Sequence, residues 1–240
     1  RLGRQPIAFG NQGGWLYNGL EGYDGAQASY NNGKLSLTTG FGQLNASVFT
    51  DDTDPDGNVI SYGVTGTDMY FAKGAYDFGF ARLGANYVKF QGDTNSTDHY
   101  VAGDELYGIN LNIPVQKFNV FGEYWKNTNA ADKYDTAWNA GLSYGKADWK
   151  KAGTWDLSVA YNDVDYNVYF GGGTWHNDML KNFTAGYLNA YNLTFWTAIA
   201  NVTLQKNVQL HAEYAFAADA EGTNGVDPDD SWTVSLNYKF

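Results

Sequence analysis

The 240-residue chain has no cysteine, which excludes a disulfide framework, a thiol nucleophile and thiolate metal sites. Proline and methionine are scarce, at 4 and 2 residues. No apolar run reaches the about 18 residues that a membrane helix requires. With a mean hydropathy of −0.45, a helical membrane bundle is excluded. A membrane barrel is not, because only every second residue of its strands meets lipid. Basic residues are outnumbered as well: 15 Lys and Arg stand against 26 Asp and Glu, for a net charge of −11. That balance argues against nucleic acid as a partner. Much of the acid is clustered, at Asp51-Asp52-Thr53-Asp54-Pro55-Asp56, Asp163 with Asp165, and Asp227 with Asp229-Asp230, and reads as solvated loops.

Aromatics and glycine are abundant, with 19 Tyr, 14 Phe, 8 Trp and 29 Gly. Such a composition favours strands joined by tight turns. The last ten residues show the pattern most clearly. Trp232, Val234, Leu236, Tyr238 and Phe240 fall on one face of a strand, and Ser231, Thr233, Ser235, Asn237 and Lys239 on the other, because successive side chains point to opposite sides. Similar alternation runs through residues 208–216, 155–161, 138–144 and 106–114, and Asn31-Asn32-Gly33 is a strong hairpin signal. Thr67–Tyr76 alternates poorly, since Met69 and Phe71 share a face with Lys73, and the run near Trp196 changes phase as a bulge would.

Short connections alternate with long ones at residues 9–23, 51–66, 91–104, 127–134, 163–190 and 217–230. Short turns at one end and long loops at the other are the mark of an outer-membrane barrel. A soluble sandwich or barrel also alternates. It has no need, however, of the bracketing seen in Trp138 with Tyr144, Trp155 with Tyr161, and Trp232 with Tyr238, which an aromatic girdle at two membrane interfaces explains. The fold class expected is all-β: a transmembrane antiparallel β-barrel over residues 1–240, with about twelve strands visible.

The opening Arg1-Leu2-Gly3-Arg4-Gln5-Pro6-Ile7-Ala8-Phe9-Gly10 resembles a wall strand of the general diffusion porins. In that family a strand ending in Gly-Arg leads into a long loop folded into the barrel. The resemblance makes residues 9–23 the inward-folded constriction loop and Asp24–Tyr30 the next strand, fifth of about sixteen. The count then closes if a signal peptide and about four strands precede Arg1. Leu2-Gly3-Arg4-Gln5 is also similar to porins carrying an S-layer-homology tether, which implies peptidoglycan or another cell-wall polymer as a partner of a region before Arg1. Phe240 matches the C-terminal assembly signal shared by many outer-membrane barrels.

The resemblance further implies a bacterial outer-membrane location, a homotrimer set in membrane lipids, and passage of small hydrophilic solutes and ions. In such porins basic wall residues face acidic groups on the loop, and their field screens solutes. By position Arg4 and Arg1 supply the basic wall and Glu21 and Asp24 the acidic side. Arg82 and Lys34 are further lumen candidates, Arg82 because Leu83, Ala85 and Tyr87 claim the lipid face. These charges would otherwise solvate a polar interior or pair with one another.

Asp52, Asp54 and Asp56 before Gly57 match the first half of an oxygen-ligand Ca²⁺ loop, but Gly63 stands where a bidentate Glu belongs. A weak divalent site and a plain acidic turn both stand as readings, and no cofactor is otherwise expected. His99, His176 and His211 lack a nucleophile motif or metal-ligand spacing, so no enzyme is expected. Two functions remain: a passive diffusion channel, or a structural or adhesive barrel whose loops, residues 163–190 above all, bind a partner. Small neutral residues at Gly108, Asn110, Asn112, Asn139, Gly141, Ser143, Ser158 and Ala160 leave room for water and favour the channel.

Overall fold

The computed structural model describes residues 1–10, 17–44, 52–53, 59–60, 68–91, 105–130, 133–168, 179, 190–222 and 227–239. In chain order the strands are β1 (Leu2–Phe9), β2 (Tyr17–Asn31), β3 (Leu35–Leu44), β4 (Asp52–Thr53), β5 (Val59–Ile60), β6 (Asp68–Asp77), β7 (Arg82–Gln91), β8 (Glu105–Val115), β9 (Phe118–Asn127), β10 (Thr136–Gly145), β11 (Trp155–Asp165), β12 (Ala190–Gln205), β13 (Val208–Gly222) and β14 (Ser231–Tyr238). Twelve of them form one sheet in the order β1-β2-β3-β6-β7-β8-β9-β10-β11-β12-β13-β14, while β4 and β5 pair with each other. Every ladder in the large sheet is antiparallel between chain neighbours.

The short turns follow from local chemistry. Between β2 and β3, Asn32 Oδ1 accepts the backbone N–H groups of Lys34 and Leu35 at 3.1 and 2.7 Å. Asn31 Oδ1 accepts that of Gly33 at 2.7 Å, so amide side chains close the reversal. Gln116 and Asn207 take left-handed φ values of 58° and 64° in the turns after β8 and β12, the twist that tight hairpins require.

The sheet curls. Phe9 of β1 lies 6.2 Å, ring to ring, from Trp125 of β9, although five strands separate them in the sheet order. The concave face near the long connections holds one apolar cluster, including Phe9, Tyr23, Met69, Phe71, Val88, Phe90, Leu106, Trp125, Leu193 and Phe195. The convex face carries Phe41, Leu83, Ile109, Val120, Leu142, Leu157, Val234 and Leu236 exposed.

Met69, Phe71 and Lys73 therefore share the concave face legitimately: the strand passes from the apolar cluster into a polar zone. The same gradient explains β12, where Leu193 and Phe195 are buried on the face that Thr197 and Thr203 continue. The bulge expected in β12 near Trp196 is not there: β12 keeps an unbroken ladder with β11, and the register slip opposite Thr194 and Trp196 puts the extra residue in β13, where Ala217 takes a φ of 51°.

The expected loop over residues 9–23 needs correction. Residues 17–23 belong to β2, with Phe9 opposite Tyr17 and Gln5 opposite Tyr23. The ladder takes up the backbone groups of Tyr17–Gly19 and Tyr23, on either side of the register slip. Strand pairing likewise continues to Asp165 and to Gly222, inside segments expected as loops.

Candidate functional site

The concave face is the candidate site. Three register pairs run across it at one level: Glu123 of β9 with Asn110 of β8, Glu123 with Asn139 of β10, and Asn139 with Asn162 of β11. Asn86 Nδ2 donates to Asn110 Oδ1 at 3.2 Å. Asn139 Nδ2 donates to Glu123 Oε1 at 2.6 Å, and the Trp125 indole donates to Glu123 Oε2 at 3.3 Å. Asn162 Nδ2 turns to β12, toward Phe195 O at 3.2 Å and Thr197 Oγ1 at 3.3 Å. Carboxamides thus form a belt below the apolar cluster.

A second polar chain lies nearer the short turns. Asp156 Oδ1 accepts from Asn201 Nδ2 at 2.8 Å. Asn201 Oδ1 lies 2.7 Å from His211 Nδ1, and His211 Nε2 lies 2.8 Å from Glu213 Oε1. Facing this side are Lys73 and Arg82 of β6 and β7. Arg82 Nη2 donates to Ser36 Oγ at 3.1 Å, and Lys73 Nζ donates to Ala8 O at 3.2 Å. Lys73 and Arg82 on β6 and β7 stand against the carboxylates Glu123, Asp156 and Glu213 on β9, β11 and β13, with Asp77 as the register partner of Arg82 on the cationic side. Such segregation sets up a field across the concavity. The alternation rule finds these residues once the concave parity of each strand is known.

Arg82 is where the sequence places it, on the concave face. Arg4 and Asp24 are not. They are register partners on β1 and β2, on the convex face with Ala26 and Phe41. Arg4 Nε and Nη2 donate to the two Asp24 carboxylate oxygens at 3.0 and 2.9 Å, with side chains 63% and 51% exposed. Opposite charges on adjacent strands pair locally when their registers match, so the two neutralise each other instead of facing across a channel. Arg1 continues the β1 ladder beside Gln27, whose N–H donates to Arg1 O at 3.0 Å.

Lys34 sits exposed in the turn between β2 and β3, at the rim and not in the wall. Glu21 falls in β2 where the register with β1 shifts, and its side chain lies outside the described residues. Asp54, Asp56, His99, His176 and Phe240 lie outside them altogether, and of Asp52 only the place in β4 is described. Among the described residues no three His, Cys, Asp or Glu side chains converge as a metal cluster.

The glycines on this face do not leave open water-filled space. A methyl group on Gly108 would come within 2.6 Å of the Trp125 ring, so the indole lies over that glycine. Phe121 covers Gly141 in the same way. Glycine lets a neighbouring strand's ring lie flat where any larger side chain would collide.

The β1–β2 hairpin reaches into the concavity. Its register slips between Gln5 and Ile7, and beyond the slip Phe9 packs edge-on against Phe71 at 5.8 Å and Trp125 at 6.2 Å. Lys73 Nζ lies 5.7 Å from the centre of the Phe9 ring.

No protein-family model matches the chain, and no curated protein matches it in sequence. Among solved structures it is similar to the outer-membrane expressed OmpT of Vibrio cholerae, with a TM-score of 0.54 and 12% identity over 96% of this chain and 69% of that one. It also aligns with the outer membrane protein OprD of Pseudomonas aeruginosa (TM-score 0.48, 9% identity, 92% and 60% covered). A third alignment is with OccK2 (OpdF) of the same organism (TM-score 0.39, 14% identity, 90% and 70% covered). The first likeness is one of fold: the sheet is all-β and antiparallel, of the outer-membrane barrel type.

Proposed function

We propose that the chain forms the wall of a narrow outer-membrane channel that passes small hydrophilic solutes and ions by diffusion. One observation carries the reading: a polar, charge-segregated concave face backs onto an apolar convex one. Convex aromatics pair in two bands. Trp138–Tyr161 and Tyr161–Trp196 lie at 5.4 and 5.3 Å toward the long connections, and Phe118–Tyr144 and Tyr144–Trp155 at 4.9 and 5.5 Å toward the short turns. Lipid on one side and water on the other account for both faces. The apolar cluster around Phe9 narrows the passage and opposes its wetting. Small residues on the convex face, Ala26 and Ala28 among them, suit close packing of copies, and a homotrimer belongs to this reading.

The same cluster favours a second reading, a plugged barrel that serves structure or adhesion through its loops. Planar-bilayer recordings separate the two. Discrete current steps that scale with salt support the channel, and steps in triplets support the trimer. Silence from protein shown to be folded and inserted overturns the channel and leaves the plugged barrel.

A further inference from the structure

Two oxygens in the carboxamide belt lack a donor. Asn139 Oδ1 and Asn162 Oδ1 are buried with no hydrogen-bond partner among the described residues, in side chains 5% and 0% exposed. A buried carbonyl oxygen left in this way costs its desolvation without return. The amide nitrogens fix where these oxygens point. That of Asn139 faces β9, on Glu123, and that of Asn162 faces β12, on Phe195 O and Thr197. Both oxygens are therefore turned away from those neighbours, toward the seam between β10 and β11, where the two residues are register partners. Beside them Glu123, 5% exposed, accepts from Asn139 Nδ2 and from the Trp125 indole.

We propose that this seam binds a hard, oxygen-ligated metal cation of the Ca²⁺ class. Asn139 Oδ1 and Asn162 Oδ1 are its protein ligands, Glu123 supplies the compensating charge, and water completes the shell. Amide carbonyls and a carboxylate without nitrogen or sulfur donors select hard cations. The flexible coordination of Ca²⁺ suits a two-oxygen edge better than the strict octahedron of Mg²⁺. The site does not depend on conduction, since a plugged barrel would hold the ion equally well.

Terbium(III), which takes the same oxygen ligands, tests it on the folded protein in detergent micelles. Trp125, hydrogen-bonded to Glu123, is placed to sensitise terbium emission. The expected result is saturable emission displaced by Ca²⁺, with affinity lowered at least about tenfold in Asn139→Ala and in Asn162→Val. Trp125→Phe should dim the terbium emission while saturable Ca²⁺ binding, read by calorimetry, persists, weakened by the loss of the donor to Glu123. Asn139→Asp adds a charge at the ligand position and should tighten Ca²⁺ several-fold, which keeps the test decisive if the other variants fail to fold. Emission and affinity unchanged in Asn162→Val, or unaffected by Asn139→Asp, would overturn the site and leave only adventitious binding to the acidic surface. No emission from the folded wild-type protein would overturn it as well.

Discussion

Arg82 and Arg4 carry the same charge on opposite faces of one sheet, and that difference decides what each can do. Arg82 looks into the concavity beside Ser36, where, on the channel reading, a unit charge about 7 Å from a passing ion is worth about 0.6 kcal/mol even in water. Arg82→Glu changes the local charge by two units, so the cation-to-anion permeability ratio should rise about threefold to tenfold, read from the reversal potential in a salt gradient. Arg4→Glu should leave that ratio where it is, because Arg4 is tied to Asp24 on the convex side. A shift with Arg4 and none with Arg82 would invert the assignment of the faces. Gly108 offers a test of packing at the same scale. Its missing side chain makes room for the Trp125 ring, so Gly108→Ala should destabilise by about 1–3 kcal/mol in urea unfolding followed by tryptophan emission.

At the scale of the element, the β1–β2 hairpin both narrows the concavity and is held by it. Phe9, 1% exposed, makes two edge-on ring contacts. Phe9→Ala should cost about 3–5 kcal/mol and, on the channel reading, raise single-channel conductance as the apolar narrowing loosens. Lower stability with unchanged conductance would take the hairpin out of the conducting path. Strands such as β14 were fully legible in the sequence, because unbroken alternation from Ser231 to Tyr238 defines both faces without reference to neighbours. The hairpin was not. Arg1–Ile7 is too short to phase alone, and the Arg4–Asp24 pair exists only through a register between two strands. Burial of Phe9 depends on strands remote in the sheet order. Lys73 and Phe195 broke the expected alternation for a related reason: the concave wall changes from apolar to polar along its height, and a single strand cannot show where. The face that Arg82 takes was legible because Leu83, Ala85 and Tyr87 set the parity of β7 locally.

For the whole molecule, the question is which solvent meets the convex face. Leu142, Leu157, Val159, Val234 and Leu236 are exposed there, between aromatic bands that lie about 20 Å apart along a strand, taking six residues from Trp138 to Tyr144. In water this surface would be a severe aggregation liability. Against lipid it is the stable arrangement, with Trp and Tyr at the headgroup level. Single-tryptophan variants in vesicles of bromine-labelled phospholipid distinguish the two. Emission from Trp138 or Trp155 should be strongly quenched, most by bromine placed high on the acyl chain. Trp125 faces the concavity under Phe9 and should be spared. Quenching of Trp125 with sparing of Trp138 would turn the sheet inside out. Protein that stays monomeric without detergent and shows no quenching at any position would remove the membrane from the account. The sheet would then have to bury its convex face against another partner, since that much exposed apolar surface does not stay in water uncovered.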